Sequence, residues 1–194
     1  KTLDDFSETL KKVADIGYTT VQVSGTCEYE AEWLRAELEK NGLRCDLTHY
    51  SFDKMVADPQ KVSDFHRVFD CKYIGVGSMP GMWGDADKID FPAITRDFAQ
   101  KANVVGDAFA QNGQLLMYHN HAREYFCDID GLNAIDCKMM VASGIACFQY
   151  QSRQSKQFPR SCVNRYLRCK PCSPMTTVVF CSRHYALVTK DILG

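Results

Sequence analysis

The sequence predicts an α/β fold with parallel strands, and three observations carry that expectation. Apolar side chains recur at spacings of three and four in four separate stretches, each marking one face of a helix. Between these stretches lie short runs rich in β-branched residues, bounded by Gly, Asn or Asp. The runs begin near residues 19, 44, 73 and 114, and strands separated by helices return the chain to the same end of a sheet, which makes them parallel.

Taken in order, Leu3, Phe6, Leu10 and Val13 stripe a helix over 3–16, with Thr2 and Asp5 as a capping pair and Gly17 as the stop. Residues 18–24 alternate and read as a strand. A second helix over about 28–40 turns Trp33, Leu34 and Leu38 inward and ends at Asn41-Gly42. Residues 43–49 form the next strand. Asp58 and Pro59 supply a cap and a first-turn proline for a third helix carrying Val62, Phe65 and Phe69 on one side. Residues 73–76 follow as a short strand. After Asp90, a fourth helix repeats Ile94, Phe98, Ala102, Val105 and Phe109, and residues 114–120 make the fourth strand. In such sheets the loops after the strands hold the chemistry. The polar residues to inspect there are Gln22, Ser24, His49, residues 78–83 and residues 119–124.

Composition narrows the class. With 194 residues, 45% of them apolar, the chain can bury a core, which excludes disorder throughout. Its longest nearly apolar run, residues 139–148, is interrupted by Ser143 and falls well short of the roughly 20 residues that cross a bilayer. Residues 1–12 read as an amphipathic helix without the apolar core of a secretion signal, so a soluble, cytoplasmic protein without a membrane partner is expected. The net charge of −1 conceals two unlike parts. Residues 1–126 hold 14 Lys and Arg against 20 Asp and Glu, net −6, whereas residues 127–194 hold 9 against 4, net +5. Seven of the ten cysteines lie in the second part.

The densest chemistry is in Leu116-Met117-Tyr118-His119-Asn120-His121. A period of two puts Met117, His119 and His121 on one strand face, and Tyr118 and Asn120 on the other. Glu124 follows three residues later, which makes a His/His/carboxylate set for a divalent metal geometrically available. The same histidines could equally hydrogen-bond a substrate or backbone and never touch a metal.

Residues 1–126 resemble the sugar phosphate isomerase/epimerase family, the xylose isomerase-like TIM barrels. The series that carries the resemblance runs from residues 10–18 to Val21-Gln22-Val23, then Asn41-Gly42-Leu43 and Thr48-His49. It continues through residues 71–81 and ends in Tyr118-His119-Asn120-His121 with Glu124-Tyr125. The resemblance implies a parallel (β/α) barrel with a divalent metal (Mn, Mg, Zn or Co) at its C-terminal mouth. There a sugar or cyclitol would be isomerised, epimerised or dehydrated by proton transfer next to a carbonyl. Carried over, His119, His121 and Glu124 are the catalytic residues, with His121 and Glu124 also the metal ligands. Gln22, His49, Trp83 and Asn120 bind substrate, Trp83 from a loop suited to covering a sugar ring. Three departures stand out. Gln22 occupies a position where the family commonly has Glu, Asp70 stands where a helix-ending glycine is usual, and the family's later Asp-x-Tyr-Trp and His-x-Lys-Asp motifs do not occur in residues 127–194.

Residues 1–136 are therefore expected to form an incomplete barrel of about four βα units, lacking its first strand, and residues 137–194 an irregular, basic, Cys-rich tail. Two readings of the tail stay open. Cys162, Cys169, Cys172, Cys181 and His184 could form a zinc module among basic residues suited to phosphate, the alternative being a non-catalytic half-barrel that binds zinc or nucleic acid. Otherwise the segment was never selected as part of this fold, as after a reading-frame change near residue 137. On the first-ranked reading the partner is a small sugar or cyclitol and not nucleic acid, catalysis is impaired, and the open sheet favours homo-oligomers.

Overall fold

A computed structural model describes residues 2–121, 123–126, 128–129, 132–133 and 145–150. Four helix–strand periods come first. Helix α1 (Leu3–Asp15) leads to β1 (Thr20–Val23), α2 (Ala31–Lys40) to β2 (Arg44–His49), α3 (Phe52–Ala57) and α4 (Pro59–Arg67) to β3 (Tyr73–Val76), and α5 (Phe91–Gln111) to β4 (Leu115–Asn120). A four-residue helix α6 (Arg123–Phe126), a small antiparallel pair β5 (Asp128–Ile129) and β6 (Leu132–Asn133), and β7 (Ile145–Tyr150) follow.

The main sheet runs β1-β2-β3-β4-β7, with every neighbouring pair parallel. This is the α/β alternation of a TIM barrel, with five strands among the described residues. The fifth strand lies beyond residue 136, in the stretch assigned from sequence to the tail. The Cys162 to His184 cluster falls outside the described residues. No helix among the described residues is long and apolar enough to cross a membrane.

The helix ends follow from their caps. Thr2 accepts a hydrogen bond from the Asp5 N–H at 3.2 Å while the Asp5 carboxylate accepts from the Thr2 N–H at 2.8 Å, completing the reciprocal pair expected of this sequence. Asp58 and Asp90 cap α4 and α5, and each of these helices carries a proline in its first turn. After α4 the chain turns through Asp70 at φ 55°, the one non-glycine residue described with positive φ. Gly17 and Gly42 make the matching turns after α1 and α2 at 104° and 64°.

Packing divides between two apolar clusters on the helix side of the sheet. Phe6, Leu10, Val13, Leu34 and Leu38 of α1 and α2 close over Val21, Val23, Cys45 and Cys71. Phe98, Ala102, Val105 and Phe109 of α5 close over Ile74, Val76, Leu116 and Tyr118. Leu3, counted in the α1 stripe from sequence, is 39% exposed and lies at the margin of the packed face. With the helices on this side, alternate strand residues are left for the other face, which in a barrel becomes the lumen.

Candidate functional site

Three histidines meet at the C-terminal ends of β2 and β4. His49 is the last residue of β2, His119 is the fifth of β4 and His121 directly follows β4. The His49 and His119 rings stand edge to face with centroids 5.1 Å apart, and the His119 and His121 centroids are 4.8 Å apart. The Trp83 indole, 57% exposed in the loop after β3, meets the His121 ring edge-on at 4.9 Å. The four rings form an arc from one strand end to the next.

Local sequence explains why the arc fits. Gly75 of β3 pairs with His49 in the ladder, and a Cβ at Gly75 would sit 2.6 Å from the Thr48 carbonyl oxygen and 3.1 Å from His49 Cδ2. A Cβ at Gly77 would sit 3.2 Å from His49 Nδ1. Two side chains are thus missing where the imidazole lies, and the Ser24 hydroxyl, hydrogen-bonded to His49 Nδ1 at 3.2 Å, steadies the ring from the loop after β1. Sequence reasoning passes over both glycines, although glycine inside a strand marks close approach.

The other expected site residues are distributed differently. Gln22 is half-buried on β1 and pairs with Leu47, two residues short of His49 along β2. Asn120, 1% exposed, shares the alternate face of β4 with buried Tyr118, as the period of two requires, and does not join the histidine arc. Glu124 is fully buried. Its Oε1 accepts a hydrogen bond from the Tyr118 hydroxyl at 2.6 Å, its Oε2 accepts from the His121 N–H at 2.8 Å, and the His121 ring Nδ1 stands 3.8 Å from Oε1. Burial and the neighbouring Glu124 carboxylate hold the Tyr118 phenol well above the usual tyrosine range, so it remains a donor. Arg123 carries no signal in the sequence that would single it out. Its guanidinium donates to the Gly84 carbonyl at 3.1 and 3.0 Å and lies 5.3 Å over the Phe91 ring.

The described residues do not by themselves assemble a divalent-cation site. Among the described residues no group of three His, Cys, Asp or Glu is disposed to hold one. The carboxylate closest to the histidines has both oxygens committed to the protein, and Gln22 carries no charge. Imidazoles remain to donate, accept or relay a proton, and an indole to cover an apolar ring face. A cleft of about 650 Å³ lined by Arg67, Asp70, Lys72 and Gln114 lies at the opposite, N-terminal end of the strands, the end of such folds that serves stability.

No protein-family model matches the sequence, and no curated protein matches it. Solved structures do. A sugar phosphate isomerase/epimerase from Parabacteroides distasonis ATCC 8503 superposes with a TM-score of 0.60 at 16% identity, over 76% of this chain and 62% of that one. An AP endonuclease, family 2, from Brucella melitensis gives 0.56 at 14% identity, over 73% and 61%. A xylose isomerase-like TIM barrel protein from Mycobacterium smegmatis, in complex with magnesium, gives 0.56 at 16% identity, over 76% and 56%. At such identities the likeness shows the fold, the xylose isomerase-like TIM barrel, and the chain spans about six tenths of the length of the structures it matches.

Proposed function

We propose that this chain is a sugar isomerase/epimerase-like protein of the cytoplasm whose mouth takes a sugar or cyclitol and moves a proton at the carbon next to its carbonyl. The observation that carries the reading is the arc of His49, His119 and His121 under Trp83, at the end of a parallel sheet where α/β folds bind ligands. Trp83 offers its face to the ring of the substrate, and Gln22 and Ser24 supply hydrogen bonds to hydroxyl groups. His119 and His121 are the groups that take and return the proton, because an imidazole near neutral pH can do both.

Such chemistry elsewhere uses a cation to stabilise the enediolate. Magnesium is part of the Mycobacterium smegmatis complex, but the donor set here gives no support for one, and no step is assigned to it. Turnover by the imidazoles alone is expected to be slow. The runner-up reading, a non-catalytic half-barrel with a zinc- or nucleic-acid-binding Cys-rich tail, draws on the net +5 and seven cysteines of residues 127–194. Self-association into homo-oligomers belongs to the same proposal.

The test is proton exchange. Incubated with ketohexoses in D₂O, the protein should catalyse deuterium entry at the carbon next to the carbonyl, read by NMR, with His121→Gln and His119→Gln each slowing it at least tenfold. Exchange that is absent, or unchanged in both variants, would remove the proposal.

A further inference from the structure

We propose that Glu124 is a positioning residue, whose buried carboxylate joins the turn after β4 to the loop after β3 and so fixes His121 beneath Trp83, in place of the metal-ligand role that family resemblance gives it. This rests on the reading of the mouth given above. The carboxylate takes one hydrogen bond from Tyr118 and one from the His121 backbone, and Tyr118 in turn accepts from the Met79 N–H at 3.1 Å. The reach from Glu124 back to His121, three residues earlier, has the geometry of the return arm of a capping box. Next to Glu124, Arg123 grips the Gly84 carbonyl. The loop after β3 is therefore held at Met79 and at Gly84, on either side of Trp83, by partners from β4 and the turn that follows it.

To reach a cation in the mouth the carboxylate would have to leave both donors. The His121 N–H and the Tyr118 hydroxyl would each lose the carboxylate oxygen they now donate to. Stripping a buried hydroxyl and a half-buried N–H of a charged acceptor is disfavoured, which holds the carboxylate where it is. What the network fixes is visible in His121, whose Nδ1 has no hydrogen-bond partner among the described residues. Its ring is located by the backbone turn and by contact with Trp83 and His119.

The experiment uses the full chain carrying Trp33→Phe, so that Trp83 is the emitter. The mean fluorescence lifetime of Trp83 and the binding of Mn²⁺ by calorimetry are measured for this protein and with Glu124→Gln, Tyr118→Phe or His121→Ala added. Contact with imidazole quenches the indole, so His121→Ala sets the lifetime of a released Trp83. Positioning requires that Glu124→Gln and Tyr118→Phe both move the lifetime at least halfway to that value, while Mn²⁺ binding in the two stays within twofold of the parent or is too weak to measure in all. A loss of Mn²⁺ affinity of tenfold or more in Glu124→Gln alone, with Tyr118→Phe leaving the lifetime unchanged, would overturn it. If Glu124→Gln fails to fold, Tyr118→Phe decides by itself, an unchanged lifetime counting against the proposal. Neither readout involves sugar or turnover, so this result is independent of the exchange assay.

Discussion

Four of the five histidines fall among the described residues, and their surroundings separate them. His66 of α4 has no exposed surface. Its Nδ1 lies 2.7 Å from the Val62 carbonyl, which can only accept, so Nδ1 carries the proton and Nε2 accepts from the Thr48 hydroxyl at 2.8 Å. Burial pushes its pKa down to about 4. Because the unfolded ring titrates near 6.5, the unfolded chain binds a proton below that pH while the folded chain does not, and stability falls as pH drops from 6.5 toward 4. The total loss is about 3 kcal/mol, of which roughly 1.5 kcal/mol appears between about pH 6.5 and 5, above most carboxylate titration. His66→Gln should flatten that part of the stability–pH curve in chemical denaturation, and an unaltered slope would show that His66 is not the group responsible. His49, His119 and His121, by contrast, line the mouth. The period of two in residues 116–121 is enough to pair His119 with His121. The destination of the Glu124 carboxylate is not legible, since spacing cannot tell a ligand facing the mouth from an acceptor turned into the core.

At the scale of elements, the strands and the long helices are readable because each has a local signal. Thr2, Asp58 and Asp90 cap the helices expected of them, and Gly17 and Gly42 turn the chain at their ends. Asp70 stands at the one such turn without glycine and adopts the left-handed backbone that glycine would take without strain. Helix α3 escapes a sequence reading because six residues give too little periodicity, although Ser51 caps it and Phe52 and Met55 are buried. Strand β7 escapes for another reason. Its first four residues end a nearly apolar run, where period cannot separate strand from helix, just past the point where charge and motif change. The close approach of β2 and β3 at Gly75 gives a direct test of how the elements place His49. Gly75→Ala puts a methyl group 2.6 Å from a backbone oxygen that cannot swing aside. It should cost about 1–3 kcal/mol of stability, measured by denaturation, and should shift the His49 ring resonances as the ring leaves Ser24. A Gly75→Ala variant of unchanged stability with an unmoved His49 would mean that the glycine has no part in shaping the mouth.

For the whole molecule, the parallel sheet β1-β2-β3-β4-β7 with helices on one side explains why residues distant in sequence share one surface. Every strand ends at the same rim, so Ser24, His49, Trp83, His119 and His121 arrive there from the ends of four successive strands and the loops that follow them. Of the basic Cys-rich segment, the described residues are β7, whose Gln149 and Tyr150 pair with His119 and Asn120 at that rim. On the proposed function the side chains of Ser24, His49, Trp83, His119 and His121 form one ligand site. It is tested most directly by titrating the protein with a ketohexose and following the imidazole Cε1–H resonances of all five histidines by NMR. His49, His119 and His121 should shift together along a single binding curve while buried His66 stays still. Resonances of the three that do not move, or that move with unrelated affinities, would contradict it.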